Sequence, residues 1–419
     1  MKIFCAVLIA GGVAFADAPA PTKLDLPAAL AEAVANNPEL RAARARVEAA
    51  TGRAVQSRLW PNPNLEFVAE EVPVNRGGFS QSKNLAGVAQ TVPFPGKKAL
   101  DAQIGAKEIS AAEWDYLGRE LELARDVKVA FFRALAAQKK LDAAATLADT
   151  ARSTATAVRK RVELGAAPDQ EQLRAEIEQE RAAVELTAAQ RELAEAQKSL
   201  GPLLGRRPER VGALVGELNE QAPPPALDQV RDQMLARHPA IHALLASRER
   251  AELELRRAKL DPLPDTTFGI AAGRDTGADA TIMEFRVSLP LPLFDRSQGR
   301  RREAQAQSDI ARHDLGATEL RLSRNLAVLD ERLRAAGRQV ESYRTRILPK
   351  ADGALRLVRT GYEAGKFGLL DILDTQRTAT EVRLAYYDKL LELNTAQAEL
   401  EALLMKDLRS PLPQKETKP

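Results

Sequence analysis

Apolar residues recur at helical spacing over two long stretches of this chain. Between residues 97 and 164 there is no proline, and Leu117, Leu121, Ala124, Val127, Phe131 and Leu135 form one stripe. A continuous helix there reaches roughly 100 Å at 1.5 Å rise per residue. Over residues 297–362 the stripe is a heptad: Leu322, Leu326, Leu329, Leu333, Ala336, Val340, Tyr343, Ile347. Pro349 is expected to kink it. Gly165 and Gly365 stop these two helices, and a further helix follows each: one opens at Pro168 and runs to about 204, the other covers 371–404. Shorter helical segments at 24–59 and 226–260 are broken at Pro38 and Pro239 and ended by the Pro61/Pro63 and Pro262/Pro264 pairs.

Elsewhere the period is two. Strands are expected at about 64–74 and 84–92, then at about 266–273 and 281–289. In the last, Thr281, Met283, Phe285, Val287 and Leu289 fall on one face and Ile282, Glu284, Arg286 and Ser288 on the other. An apolar face opposite a charged one, about nine residues long, suits a barrel strand in lipid. Such a strand cannot leave an open edge in a membrane. Four strands close too small a barrel, so chains must pool them; three chains supply twelve. Taken alone, the strands also fit two surface hairpins on a helical bundle in water.

The order of elements repeats. Pro38, Pro61, Pro63 and Phe67 have partners at Pro239, Pro262, Pro264 and Phe268, all at one interval, and Gly165 and Leu173 match Gly365 and Leu373 at nearly that interval. An internal duplication follows. The expected organisation is a signal peptide at 1–16, a first repeat at 17–205, a linker at 206–225, a second repeat at 226–405 and a polar tail at 406–419.

The signal reading rests on Lys2, the apolar run from Ile3 to Ile9 and a small-x-small cleavage site at Ala14-Phe15-Ala16, with a cut after Ala18 as the alternative. The sole cysteine, Cys5, lies inside it, so the mature chain is expected to carry neither disulfide nor lipidated cysteine. No apolar run is long enough for a spanning helix. Composition agrees with long packed helices: 28% charged and 4% aromatic. A formal net charge of +3 gives no case for nucleic acid as a partner.

Candidate chemistry centres on residues 362–376, YEAGKFGLLDILDTQ. Asp371 and Asp374 are placed in the first turn of the last helix, where the helix dipole favours carboxylates, and their spacing puts them on one face. Several copies around an axis make a negative ring; one solvated helix with ordinary N-terminal charge preference explains the same residues. His238 and His242 have the spacing of metal ligands, but no cysteine or acidic cluster accompanies them, and a solvated or capping role is expected instead. His313 is isolated. Arg300, Arg301 and Arg302 follow a strand end and should lie near the inner lipid face. No phosphate loop, nucleophile elbow or zinc signature appears: no enzyme, no catalytic residue, no cofactor and no metal site is expected.

The chain resembles the TolC-like outer membrane efflux proteins over nearly its whole mature length. The resemblance is carried by LDLPAALAEAVANNPELRAARARVEAA, by the helix ends LWPNPNLEF and LDPLPDTTF, and by the turns RVELGAAPDQ and GYEAGKFGLLDILDTQ. VSLPLPLFDRSQGRRREAQAQ looks most like the CzcC-like branch of metal-ion efflux. The resemblance implies a mainly α fold with a small β part: a long α-helical periplasmic tunnel plus a trimer-shared, 12-stranded outer membrane β-barrel with four strands per chain. It implies a homotrimer in outer membrane lipid, serving as passive duct to a periplasmic adaptor and an inner-membrane pump of the proton-driven RND type. It casts Asp371 and Asp374 as the channel constriction and Tyr362 with Glu171 as the closed-tip latch. Leu164, Gly165, Ala364 and Gly365 become the adaptor-contacting tips. Phe367 stands where a family member has a tip arginine. The expected cargo is divalent heavy-metal cations; the alternatives are a drug or type I protein exporter and a secreted, soluble helical scaffold.

Overall fold

A computed structural model describes residues 23–72, 81–208, 211–221, 227–407 and 409. The expected signal peptide and most of the polar tail lie outside them. Along the chain come β1 (Lys23–Leu24), α1 (Leu26–Asn36), α2 (Pro38–Arg58), β2 (Asn64–Glu70), β3 (Lys83–Val92), α3 (Lys97–Glu163), α4 (Asp169–Leu203) and β4 (Ala213–Leu214). Then follow α5 (Leu227–Arg237), α6 (Pro239–Lys259), β5 (Thr266–Asp275), β6 (Ala280–Ser288), α7 (Gln298–Ser342), α8 (Leu348–Glu363) and α9 (Leu369–Leu403).

Helix limits follow from local chemistry. The Asn37 side chain accepts from Glu39 N and Leu40 N at 2.9 and 3.0 Å and so caps α2, with Pro38 at the first helical position. His238 occupies the matching place before α6: its Nδ1 accepts from Ala240 N at 3.2 Å. Where a kink was expected at Pro349, a π-helical turn, Tyr343–Ile347, separates α7 from α8. Proline cannot donate to a carbonyl in the preceding turn, and the wider turn absorbs the lost bond.

The residues pack as two compact units, each drawn from both halves of the sequence. Of the described residues, one unit combines those up to Ala35 with those of Val127–Leu218 and Tyr343–Leu391; the other combines those of Asn36–Asp126, Asn219–Ser342 and from Glu392 onward. In the first unit, α4 turns Ala175, Ala182, Ala189 and Ala196 inward at seven-residue spacing, so its backbone approaches its neighbours closely. Lys140 of α3 bridges Glu192 of α4 (3.1 Å) and Asp388 of α9 (2.5 Å). Burial alone lowers a lysine pKa, but these two carboxylates outweigh it and hold Lys140 above its ordinary value. The segment expected to be a linker pairs within this unit: β4 runs parallel to β1, with Leu24 opposite Leu214 and both buried.

The second unit carries the sheet, ordered β2-β3-β5-β6 and antiparallel throughout. β2 ends at Glu70, where Glu71 turns to a positive φ of 56°; residues 73 and 74 of the expected strand lie outside the described residues. The register Leu65↔Val88↔Ile270↔Phe285 sets four apolar side chains in a row on one face. Glu66↔Gly87↔Ala271↔Glu284 makes the adjacent row on the other. A Cβ at Gly87 would lie 2.5 Å from the Ile270 carbonyl, so only glycine fits where β3 and β5 close together. Phe67 and Phe285 stay 77% and 75% exposed, too much apolar surface for a water-facing sheet. Among the described residues β2 and β6 each pair on one side only. Arg286 of β6 nevertheless reaches Glu66 of β2 at 3.3 Å, so the sheet curls. Below it, Trp114, Leu117 and Ala243 form part of the helical core, and the heptad residues Leu322, Leu326, Leu333 and Val340 are buried as the stripe predicts.

Candidate pore constriction at the paired helix turns

Two turns in the first unit are built alike. After α3, Gly165 takes φ 69°; Gly165 N donates to Val162 O (2.8 Å) and Ala166 N to Arg161 O (2.7 Å). After α8, Gly365 takes φ 70°; Gly365 N donates to Tyr362 O (3.0 Å) and Lys366 N to Gly361 O (2.7 Å). Each is a left-handed glycine stop that satisfies the last carbonyls of its helix. Leu164, Gly165, Ala364 and Gly365 are all exposed, Leu164 by 83%.

Behind the turns lies one small core. Ala155 and Val158 of α3, Ala175 of α4 and Leu369, Ile372 and Leu373 of α9 are buried together, with Val358 and Tyr362 of α8 against them. Both turns of one chain therefore stand on shared packing. Arg161, whose role the sequence does not reveal, joins them: it donates through Nη1 to the Tyr362 hydroxyl (2.9 Å) and through Nη2 to the Ala166 carbonyl (3.4 Å). Its guanidinium lies 5.8 Å from the centre of the Tyr362 ring. Glu171, half-buried in the first turn of α4, is not the partner of that hydroxyl. Phe367 covers the buried Gly361, where a Cβ would overlap its ring.

The two aspartates differ more than their spacing suggests. α9 begins at Leu369, so Asp371 is in its first turn and Asp374 lies beyond it, a correction to the expected placement. Asp371 Oδ2 accepts from Gly368 N at 2.9 Å and closes the helix start. Asp374 is paired with Arg377 at 2.9 Å, and Arg377 also faces Glu381 at 3.7 Å. Both aspartates are exposed. Along α4, Leu173, Ile177 and Val184 are 61%, 54% and 69% exposed, an apolar stripe left uncovered by the described residues.

The histidines form no ligand pair. His238 ends the preceding segment as an N-cap, and His242 stacks on Trp114 at 4.3 Å while its Nε2 donates to the Ala236 carbonyl at 3.0 Å. Among the described residues no group of three or more His, Cys, Asp or Glu side chains is placed to hold a metal. No described helix is long and apolar enough to cross a membrane.

Long helices, curled half-lipid sheet and twinned turns define an outer membrane channel rather than an enzyme. The chain belongs to the family of outer membrane efflux proteins, matched over residues 29–206 and 230–404. It is a passive duct of the outer membrane that extends into the periplasm and works as a trimer with adaptor and inner-membrane pump partners. It is 28% identical to the cobalt-zinc-cadmium resistance protein CzcC of Cupriavidus metallidurans, over 91% of this chain and 90% of that one. It is 26% identical to the nickel-cobalt-cadmium resistance protein NccC of Alcaligenes xylosoxydans xylosoxydans, over 78% and 74% of the two chains. Its fold is similar to the open state of the Neisseria gonorrhoeae MtrE outer membrane channel: TM-score 0.77, 18% identity, 93% and 91% of the two chains covered.

Proposed function

We propose that this channel exports divalent heavy-metal cations, and that its pump is of the proton-driven RND type. The cargo reading is carried by the similarity, along nearly the full length of both chains, to a cobalt-zinc-cadmium resistance protein. Asp371 and Asp374 form the constriction: a threefold repeat brings exposed carboxylates around one opening, where like charges attract cations and hinder anions. Arg377 tempers Asp374, so Asp371 is the stronger cation ligand of the two. Tyr362 and Glu171 belong to the closed tip, with Arg161 holding Tyr362 in place. Leu164, Gly165, Ala364 and Gly365 meet the adaptor; Leu164, 83% exposed, is apolar surface left for a partner to cover. The stripe Leu173, Ile177, Val184 supports burial of α4 against a sister chain.

A strain lacking the chain should become sensitive to cobalt, zinc or cadmium salts. Wild-type protein should restore growth, and Asp371→Asn with Asp374→Asn should lower cation over anion permeability severalfold in planar bilayers. Unchanged metal tolerance with raised sensitivity to organic drugs would move the cargo to organic compounds. Unchanged selectivity would remove the two aspartates from the pore.

A further inference from the structure

The lipid-facing side of the sheet ends in a rim. β2 and β5 begin, and β3 and β6 finish, at one end of the sheet, so four helix–strand junctions meet there. On β6 the outward series Met283, Phe285, Val287 continues beyond the last ladder pair, Thr267↔Ser288, as Leu289, Leu291 and Leu293, all exposed. Phe294 follows at 93% exposure, and Trp60 stands 59% exposed at the α2–β2 junction. An apolar band closed by aromatic residues marks the boundary between hydrocarbon and headgroups.

Just past that boundary positive charge accumulates. Arg296, Arg301 and Arg302 are exposed and have no ion pair among the described residues, as is true of Arg58 and Lys259 at the ends of α2 and α6. Most neighbouring acids are already engaged: Asp265 by Lys97 (2.8 Å), Asp101 and Asp261 by Arg257 (2.9 and 2.5 Å), Asp295 by Arg300 (3.6 Å); exposed Glu303, beside Arg302, is the exception and leaves the cluster positive. α7 has no acidic residue in its first turn and puts Arg300, Arg301 and Arg302 near its start, where the helix dipole disfavours cations. Helix stability therefore does not account for these arginines, whereas an anion lying against them does.

We propose that this rim binds the anionic phospholipid headgroups of the periplasmic leaflet, with Arg296, Arg301 and Arg302 contacting the phosphates. The apolar face leads directly into the basic rim, so one molecule, acyl chain and phosphate together, satisfies both. The guanidinium fork matches phosphate oxygens in pairs. The proposal uses the outer membrane placement and is independent of the metal cargo.

The purified full-length assembly, in mild detergent with equal phosphatidylglycerol and phosphatidylcholine, tests it by native mass spectrometry of retained lipid. Phosphatidylglycerol should be favoured, and the preference should fall about fivefold for each arginine removed in Arg296→Gln, Arg301→Gln and Arg302→Gln. High salt should abolish it in the wild type, and millimolar inorganic phosphate should leave the lipid bound. Equal retention of the two lipids by wild type overturns the proposal, as does an unchanged preference in the triple variant. Displacement by inorganic phosphate overturns it too, in favour of a free-anion site. If the triple variant fails to assemble, Arg301→Gln alone and the wild-type salt response decide.

Discussion

Arg161 and His238 show how single side chains set local order here. Arg161 spans both turns of one chain, from a carbonyl after α3 to the phenol before α9. The sequence located Tyr362 within a turn but gave no means to choose its partner, because the two are far apart in the chain. His238 shares a helical spacing with His242, yet it lies at the boundary of α6, where its neutral ring accepts a backbone proton. Burial pushes its pKa down to about 4, with Arg321 and His242 adding to the shift. The folded value lies below the unfolded one, so the contribution to stability is complete above about pH 6.5 and is lost as pH falls toward 4. The loss is a few kcal/mol at most, on the order of 3. His238→Asn keeps the cap, as Asn37 does before α2, and cannot titrate. Thermal unfolding of that variant should vary less between pH 7.5 and 4.5 than that of wild type; an equal slope would show that His238 does not govern the acid response.

At the scale of elements, helix stops were the most legible feature. Gly165, Gly205 and Gly365 all adopt positive φ and close their helices with paired bonds to preceding carbonyls. α9 ends in the same geometry without glycine: Met405 has φ 59°, Met405 N donates to Ala402 O at 3.0 Å and Lys406 N to Glu401 O at 2.9 Å. A side chain in this conformation costs about 1 kcal/mol or more. Met405→Gly should therefore raise the melting temperature, with a gain of about 0.5–1 kcal/mol; a lower melting temperature would mean that the Met405 side chain supplies compensating contacts. The alanine heptad of α4 emerged only in the fold, since Ala signals close approach only once a neighbour is known. The π-helical turn before Pro349 was readable as an interruption, not as its form. Pairing of β1 with β4, two residues each, has no sequence signature at all.

For the whole molecule, the open edges of β2 and β6 and the lipid face between them require other copies of the chain. Protein purified in mild detergent should have the mass of three chains and show sheet by circular dichroism alongside dominant helix. A single-chain mass would remove the shared barrel. The sequence by itself determined where helices stop and which faces of the strands are apolar, because proline, glycine and hydrophobic period act within a few residues. Only the tertiary structure decided that both halves contribute to each packing unit and that Arg161 holds Tyr362. Those outcomes depend on which helix faces meet and how long side chains reach across them, and neither is set by local sequence.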